Sequence, residues 1–254
     1  MGFNIEDDGY WRHHSNMHRL PRPEEHDVLS VHENYMGGKS VLREVTETIV
    51  LTLLIFFVVR GVVQNFKVEG ESMLPTLVDK QFILVNKAQY YQYDANFLDR
   101  VFNQNTPAKM QYLFRGPQRG DIIVFQAPKE ESKDFIKRVI ALEGETIEVR
   151  ADPQPGDPPT NDCGTCGVYV NGVRLDEPYI KEHPAYAVQP VKVPPGYVYV
   201  LGDNRNNSSD SHIWEALDIT RIIGTAFVSY WQEDQPMKYI GFLPHPSYAE
   251  IEQP

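Results

Sequence analysis

The chain has 254 residues, with 35 acidic and 24 basic side chains and a formal net charge of −11. Nucleic-acid binding depends on lysine and arginine side chains that neutralise phosphates, so this balance argues against a nucleic-acid partner. An acidic surface otherwise indicates little beyond solubility. The length is sufficient for one principal folded body with a sizeable core.

Residues 1–43 are polar, carry charges of both signs and contain a histidine-rich stretch, HHSNMH. A metal site is one interpretation of the histidines, but their spacing does not place three imidazoles on one helix face. We therefore predict that residues 1–43 form a disordered arm without a metal.

The apolar run IVLTLLIFFVV predicts a transmembrane helix over residues 44–63. The run lies too far from Met1 for a cleaved signal peptide, and no A-x-A cleavage site follows it. A buried core helix is the alternative, and the absence of a polar face makes it the weaker one. Lys39 and Arg43 precede the run, which favours a cytoplasmic N-terminus and places the rest of the chain, after the helix, on the outer face of the plasma membrane.

Residues 64–254 change to short β-branched and aromatic runs separated by Gly, Pro, Asn and Asp. Asn171-Gly172, between alternating apolar residues, predicts a tight hairpin turn. We expect a mostly β body with inserted loops, in which residues 151–195 belong to a smaller hairpin lobe. The predicted strands are FKVEG, FILVNK, DIIVFQ, FIKRVIAL, TIEVR, VYVNGVRL, GYVYVLGD and GTAFVSYW.

Residues 88–118 form a predicted insertion in this body. It contains three tyrosines and then NFLDRVF, in which Phe97, Leu98, Val101 and Phe102 would share one face of a short helix. Two interpretations stay open: the helix packs on the β body, or its apolar face enters the headgroup region of the membrane.

Two residues have the chemistry of a hydrolytic site. Ser72 lies in GESMLPTL, directly after the predicted anchor and first strand, and a serine needs a nearby base to act as a nucleophile. Lys137 stands among apolar residues in FIKRVIAL, where loss of hydration would make its amine a proton acceptor near neutral pH. Taken singly, Ser72 is typical of a turn and Lys137 of a strand residue that reaches solvent.

Four segments in this order resemble the type I signal peptidases, the leader peptidases that cut signal peptides from exported proteins with a Ser/Lys dyad. They are VEGESMLPTL, RGDIIVF, FIKRVIALEGETIEV and GDNRNNSSDS, and the resemblance covers roughly residues 40–245. It implies a membrane serine endopeptidase that needs no cofactor, acts on the signal peptides of preproteins at the lipid bilayer and works as a monomer.

The resemblance also implies roles for individual residues. Ser72 is the expected nucleophile, Lys137 the general base and Ser208 the serine that orients the lysine. The backbone N–H of Ser72 is the expected oxyanion donor, with the Gly70 region beside it. Gly70 stands where some members carry a serine that supplies a second donor. The expected structural residues of the active-site loop are Gly202, Asp203, Asn204, Arg205 and Asp210.

An extended substrate is expected to bind as an added strand, with alternate side chains entering small pockets. Phe66, Val68 and Ile136 are expected near these pockets, and the resemblance adds Met73 beside the nucleophile. Two other classes remain as alternatives. A self-cleaving Ser/Lys protease would need an upstream DNA-binding motif in place of an anchor, and a non-catalytic membrane-tethered β domain would have no need of Ser72 or Lys137.

Cys163 and Cys166 are the two cysteines of the chain. They precede a hairpin, whereas a thioredoxin-like redox motif would place its first cysteine at a helix N-terminus. Two thiolates do not complete a zinc site. A local disulfide and a pair of free thiols both remain open.

Overall fold

The computed structural model describes residues 41–130, 132–152, 163, 166–235 and 238–248. The predicted arm up to residue 40, with its histidine-rich stretch, lies outside the described residues. Helix α1 (Val41–Val62) begins slightly before the predicted start of the anchor at residue 44. It has no buried residue, and within the described part of the chain it is the one helix long and apolar enough to cross a membrane.

The body that follows is built mainly from one antiparallel sheet. Each of the predicted apolar runs contributes to a strand, so the mostly β prediction is confirmed. The strands of the large sheet are β1 (Val63–Lys67), β2 (Gln81–Asn86), β5 (Ile122–Gln126), β6 (Asp134–Ala141), β11 (Tyr197–Leu201), β12 (Leu217–Asp218), β13 (Ile222–Gln232) and β14 (Gly241–Phe242). Their spatial order is β1-β2-β13-β5-β6-β11-β12, with β14 paired to β13.

A second sheet has four strands in the order β10-β7-β8-β9. It lies within and just before the predicted smaller lobe, and its strands are β7 (Thr146–Ala151), β8 (Cys166–Val170), β9 (Val173–Arg174) and β10 (Val188–Lys192). Asn171 and Gly172 join β8 to β9 with φ values of 51° and 80°. These are the two positive angles that the sequence pair predicts for a tight hairpin turn.

The insertion forms a two-stranded hairpin and a short helix. Strand β3 (Gln92–Asp94) pairs with β4 (Met110–Tyr112), and helix α2 (Phe97–Phe102) lies in the connection between them. The remaining helices are α3 (Ser211–Trp214) and the 3₁₀ turns Ala88–Tyr90, Arg205–Asn207 and Ile219–Arg221.

Both faces of the large sheet are buried around its centre. Ile122 and Val124 of β5 pack in a cluster with Met73 and Leu77 on one side. Ile123 and Phe125 alternate with them and join a cluster on the other side. Neighbouring residues of β5 point into two separate cores, which explains why the sequence of this strand is a continuous apolar run. Strand β6, which carries Lys137, pairs with the whole length of β5.

Candidate active site

The side chains of Ser72 and Lys137 meet across the fold. Ser72 lies in the turn between β1 and β2, and Lys137 lies on β6, where it pairs with Ile123 of β5. Lys137 Nζ donates a hydrogen bond of 2.7 Å to Ser72 Oγ and a second of 2.8 Å to the carbonyl oxygen of Ile136. The distance between the two reactive atoms is within the reach that proton transfer requires.

Lys137 is largely withdrawn from water. The residue is 4% exposed, and Nζ lies 5.4 Å from the centre of the Phe135 ring. Loss of hydration disfavours the ammonium form and lowers the pKa of Lys137 from 10.5 to about 8, against the opposing attraction of Asp210 and Asp203. A substantial fraction of the amine is therefore neutral just above pH 7 and can accept a proton.

Asn204 holds the backbone around the nucleophile with two hydrogen bonds. The Asn204 N–H donates to the carbonyl oxygen of Ser72 at 3.0 Å, and Asn204 Nδ2 donates to that of Glu71 at 3.0 Å. On the other side, Gly70 has a φ of +89° and its N–H donates to Asp79 Oδ1 at 2.8 Å. The turn that carries the nucleophile is thus fixed at successive peptide groups.

A buried ion pair connects the lysine strand to the active-site loop. Arg138, next to Lys137, donates from Nε and Nη2 to the two carboxylate oxygens of Asp203 at 2.8 and 2.7 Å, and neither side chain is exposed. Thr76 Oγ1 donates to Asp203 Oδ2 at 2.5 Å, which adds the nucleophile's own turn to the network. Arg138 and Thr76 were missed in the sequence, although a second charge beside Lys137 in an apolar strand was a visible signal.

The rest of the active-site loop is held by charged groups, as the resemblance implies. Arg205 donates to both carboxylate oxygens of Glu177, a partner that the sequence did not indicate. Asp210 Oδ2 accepts from the Gly202 N–H at 2.8 Å. Asp210 Oδ1 lies 2.6 Å from His212 Nδ1, so the side chain that pairs with this carboxylate is a histidine.

Ser208 is close to the nucleophile but does not orient the lysine in this structure. Gly202 lies between the two serines: a Cβ atom at this position would be 2.3 Å from Ser208 Oγ and 2.5 Å from the carbonyl oxygen of Ser72. Ser208 therefore lies close to the nucleophile's turn. Within the described part of the chain, Ser208 Oγ has no hydrogen-bond partner. The expected hydrogen bond to Lys137 is therefore not formed, and the role of Ser208 stays a prediction.

A cleft of about 390 Å³ opens beside the two reactive atoms. Phe66, Val68 and Ile136 line it, in keeping with their expected position. Met73 instead packs in the core at 1% exposure and is absent from the cleft wall. Polar groups also line the cleft, and they are Lys67, Glu69, Asp134 and Ser209.

The two cysteines are joined by a disulfide. Cys166 is fully buried as the first residue of β8, and it packs in the core between the two sheets. Of the two alternatives that the sequence left open, the structure has the bridge.

Comparison with known proteins identifies the family of this chain. Residues 42–231 match the family model described as signal peptidase, peptidase S26. A signal peptidase I from Leptolyngbya laminosa is 36% identical over 218 residues, which cover 82% of this chain and 88% of that protein. Thylakoidal processing peptidase 1, chloroplastic, from Arabidopsis thaliana is 38% identical over 143 residues, covering 52% of this chain and 37% of that protein.

A solved structure is also similar. The crystal structure of a signal peptidase I from Enterococcus faecalis V583 is 31% identical and covers 44% of this chain and 97% of its own, with a TM-score of 0.33. The match to the family model covers nearly all of α1 and of the large sheet, including Ser72, Lys137 and the loop that follows β11. The chain is therefore a member of the signal peptidase family, peptidase S26.

Proposed function

We propose that this chain is a membrane-anchored serine endopeptidase that removes signal peptides from exported preproteins, with Ser72 as nucleophile and Lys137 as general base. The observation that carries the proposal is the 2.7 Å hydrogen bond between Lys137 Nζ and Ser72 Oγ in a largely dehydrated setting. The self-cleaving and the non-catalytic alternatives lack comparable support, since the dyad is in contact and the relatives are signal peptidases.

The reaction begins with the neutral amine of Lys137. It takes the proton of the Ser72 hydroxyl while Oγ attacks the carbonyl carbon of the scissile peptide bond. The Lys137 ammonium then returns this proton to the leaving amide nitrogen as the C–N bond breaks and the mature protein departs. Lys137 then takes a proton from a water molecule as its oxygen attacks the ester carbonyl, and returns this proton to Ser72 Oγ as the C–O bond breaks. This step releases the signal peptide with a free carboxyl group and restores the serine and the neutral lysine.

The oxyanion of each tetrahedral intermediate requires hydrogen-bond donors. The Ser72 N–H is available for this role, because it donates to no acceptor among the described residues. Asn204 fixes the peptide groups on either side of this N–H and so keeps it pointing in one direction. Gly70 offers no side-chain donor, so we assign the second donor to water.

The substrate is proposed to bind as an extended strand in the cleft. Among the described strands, β1 pairs with β2 alone, so its other edge is free. Strand β6 pairs with β11 from Arg138 onward, which leaves the Asp134–Lys137 edge free on that side. A peptide laid along these edges would present alternate side chains to Phe66, Val68 and Ile136. The family resemblance implies small, alanine-like side chains before the cut.

We further propose that the protein is a monomer, with its N-terminus in the cytoplasm and its catalytic body across the plasma membrane. Lys39 and Arg43 at the N-terminal end of the apolar helix support this orientation. Protease protection of sealed vesicles tests it, since the proposed orientation leaves the catalytic body accessible only from the outer face. Membrane fractionation would distinguish the plasma membrane from an internal membrane, where the thylakoidal relative acts.

The test of the proposed function is cleavage of a model preprotein by the full chain in lipid. Ser72→Ala and Lys137→Arg should each abolish processing, the second because a guanidinium does not give up its proton near neutral pH. Ser247→Ala changes an exposed serine outside the cleft and should retain full activity as the control. Substantial cleavage by Lys137→Arg would contradict the lysine base.

A further inference from the structure

The insertion is built with its apolar side outward. Phe97, Leu98, Val101 and Phe102 of α2 are 62%, 70%, 60% and 88% exposed, and no residue of this helix is buried. A helix of a globular body normally turns such a face to the core. The interpretation in which α2 packs on the β body is therefore wrong.

One polar residue of α2, which is itself exposed, bonds to the neighbouring hairpin. Arg100 Nη1 donates to Asp94 Oδ2 at 2.7 Å, and Asp94 Oδ1 accepts from the N–H groups of Asn96 and Lys109, both at 3.0 Å. Of these bonds, the one from Arg100 joins α2 to β3, and the other two close the connection at its start and at its end. The four apolar side chains take no part in this network.

The hairpin shows the same arrangement. Gln92, Met110 and Tyr112 line an open cavity of about 450 Å³ together with residues of the body, so this face of the β3–β4 pair is turned toward the body, although Met110 stays 56% exposed. Tyr91 and Tyr93 alternate with Gln92 and point to the other side, where they are 61% and 43% exposed. Together with the four residues of α2, these two tyrosines form what we call the insertion patch: Tyr91, Tyr93, Phe97, Leu98, Val101 and Phe102.

The first residue of the insertion lies in space beside the C-terminal end of α1. The Lys87 N–H donates to the carbonyl oxygen of Val62, the last residue of α1, at 2.8 Å, and the insertion begins at the next residue, Ala88. Strand β1 follows α1 without a linker, and Val63 pairs with Asn86. The insertion therefore begins next to the C-terminal end of the apolar helix.

Charge is compatible with a lipid surface. The insertion carries three basic residues, Arg100, Lys109 and Arg115, against two acidic ones, Asp94 and Asp99, whereas the whole chain has a net charge of −11. Tyrosine rings combine an apolar body with a polar tip, which suits the headgroup layer, and phenylalanine and leucine suit the acyl boundary beneath it.

We propose that the insertion patch dips into the interfacial layer of the bilayer that holds α1. It is a second membrane contact, separate from the anchor, and it fixes the orientation of the catalytic body at the lipid surface. The contact needs no partner protein and no second copy of the chain.

The depth of a spin label tests this proposal in the full chain. The two native cysteines are joined to each other, so a cysteine introduced by Phe102→Cys accepts the label alone. In nanodiscs that hold one molecule and a mixture of zwitterionic and anionic lipids, this label should collide several-fold more with oxygen than with an aqueous nickel chelate. A label at Glu182→Cys, an exposed polar site, should show the reverse. Equal oxygen-to-nickel ratios at the two sites would overturn the proposal.

A matched pair of substitutions tests the side chains themselves. With the label moved to Val101→Cys, the additional changes Phe97→Ser and Phe102→Ser should lower the oxygen-to-nickel ratio to that of the polar site. Phe242→Ser removes a phenylalanine of similar exposure, 85%, from β14 and should leave the ratio unchanged. An unchanged ratio in the double variant, or an equal fall in both variants, would contradict insertion by the patch. The readout involves no cleavage, so it is independent of the proposed function.

Discussion

Replacing Lys137 by methionine should abolish cleavage and make the fold more stable at neutral pH. Methionine keeps an unbranched side chain of similar length in the apolar setting beside Phe135 and removes the amine. In the folded protein this amine has lost most of its hydration, so its protonated form is disfavoured there and is favoured in the unfolded chain.

The size of the effect follows from the pKa of Lys137, which falls from 10.5 to about 8 on folding. A difference of about 2.5 in pKa corresponds to about 3 kcal/mol, at about 1.4 kcal/mol for each unit. Below pH 8 the lysine is protonated in both states, and the folded state carries this full penalty. The penalty declines as the pH rises from 8 to 10.5, because the amine is then neutral in the folded protein.

Methionine also removes the hydrogen bonds to Ser72 Oγ and the Ile136 carbonyl oxygen. Each has a net contribution of about 1 kcal/mol, so their loss offsets about 2 of the 3 kcal/mol, and the expected gain in the free energy of unfolding is about 1 kcal/mol at pH 6–7. This gain should fall steadily from pH 8 to pH 10 and turn into a loss of stability, because the penalty that methionine relieves disappears over this range.

The assay is reversible urea unfolding in detergent from pH 6 to pH 10, followed by tryptophan fluorescence. Trp214 is a suitable reporter, since its ring centre lies 5.9 Å from that of Phe125 in the core. Lys129→Met changes an exposed lysine and should alter stability by less than about 0.5 kcal/mol at every pH. Two results would refute the inference that the Lys137 amine is dehydrated in the folded protein. One is a Lys137→Met protein that is less stable than wild type at pH 6, and the other is a stability difference between the two proteins that does not vary with pH.

Three further outcomes are expected. The kcat/KM for a preprotein should rise with pH to a plateau with a midpoint at about 8, because only the neutral form of Lys137 accepts the proton; a flat profile from pH 6 to pH 9 would contradict this. Asn204→Ala removes the side-chain hydrogen bond to the carbonyl oxygen of Glu71, so the turn that carries Ser72 is held less firmly while the cleft stays intact. The variant should therefore lower kcat about tenfold with little change in KM, and a change in KM alone would argue against a positioning role for Asn204. Arg138→Leu leaves the Asp203 carboxylate buried without its partner and should reduce the free energy of unfolding by about 3–5 kcal/mol in a urea titration; a loss below about 1 kcal/mol would mean that water reaches this pair.

Most of the β structure could be predicted from the sequence because its information is local. The apolar runs mark strands, and Asn171-Gly172 supplies the two positive φ angles of the β8–β9 turn. The proximity of Ser72 and Lys137 was predicted differently, from the order of four motifs that resemble a family. Nothing in the local pattern of either residue brings them together, since they are 65 positions apart.

The rest depended on long-range pairing that local patterns do not encode. Arg138 could have reached solvent like many strand arginines, but the structure buries it against Asp203. Met73 adjoins the nucleophile in sequence, yet it points into the core because Ser72 takes the cleft side of the turn. The apolar spacing of α2 correctly predicted a helix, but the local pattern did not indicate that its apolar residues stay exposed.

The buried Arg138–Asp203 pair has a consequence for the biogenesis of the enzyme. Ser72 and Lys137 are synthesised well before Asp203 and Asn204, the residues that hold the lysine strand and the nucleophile's turn in place. Contacts of such high sequence separation form only once the intervening chain has folded. A partly synthesised chain therefore contains both reactive side chains but no assembled site. Proteolysis has to wait until the loop that follows β11 has been made and has folded against β6 and the nucleophile's turn.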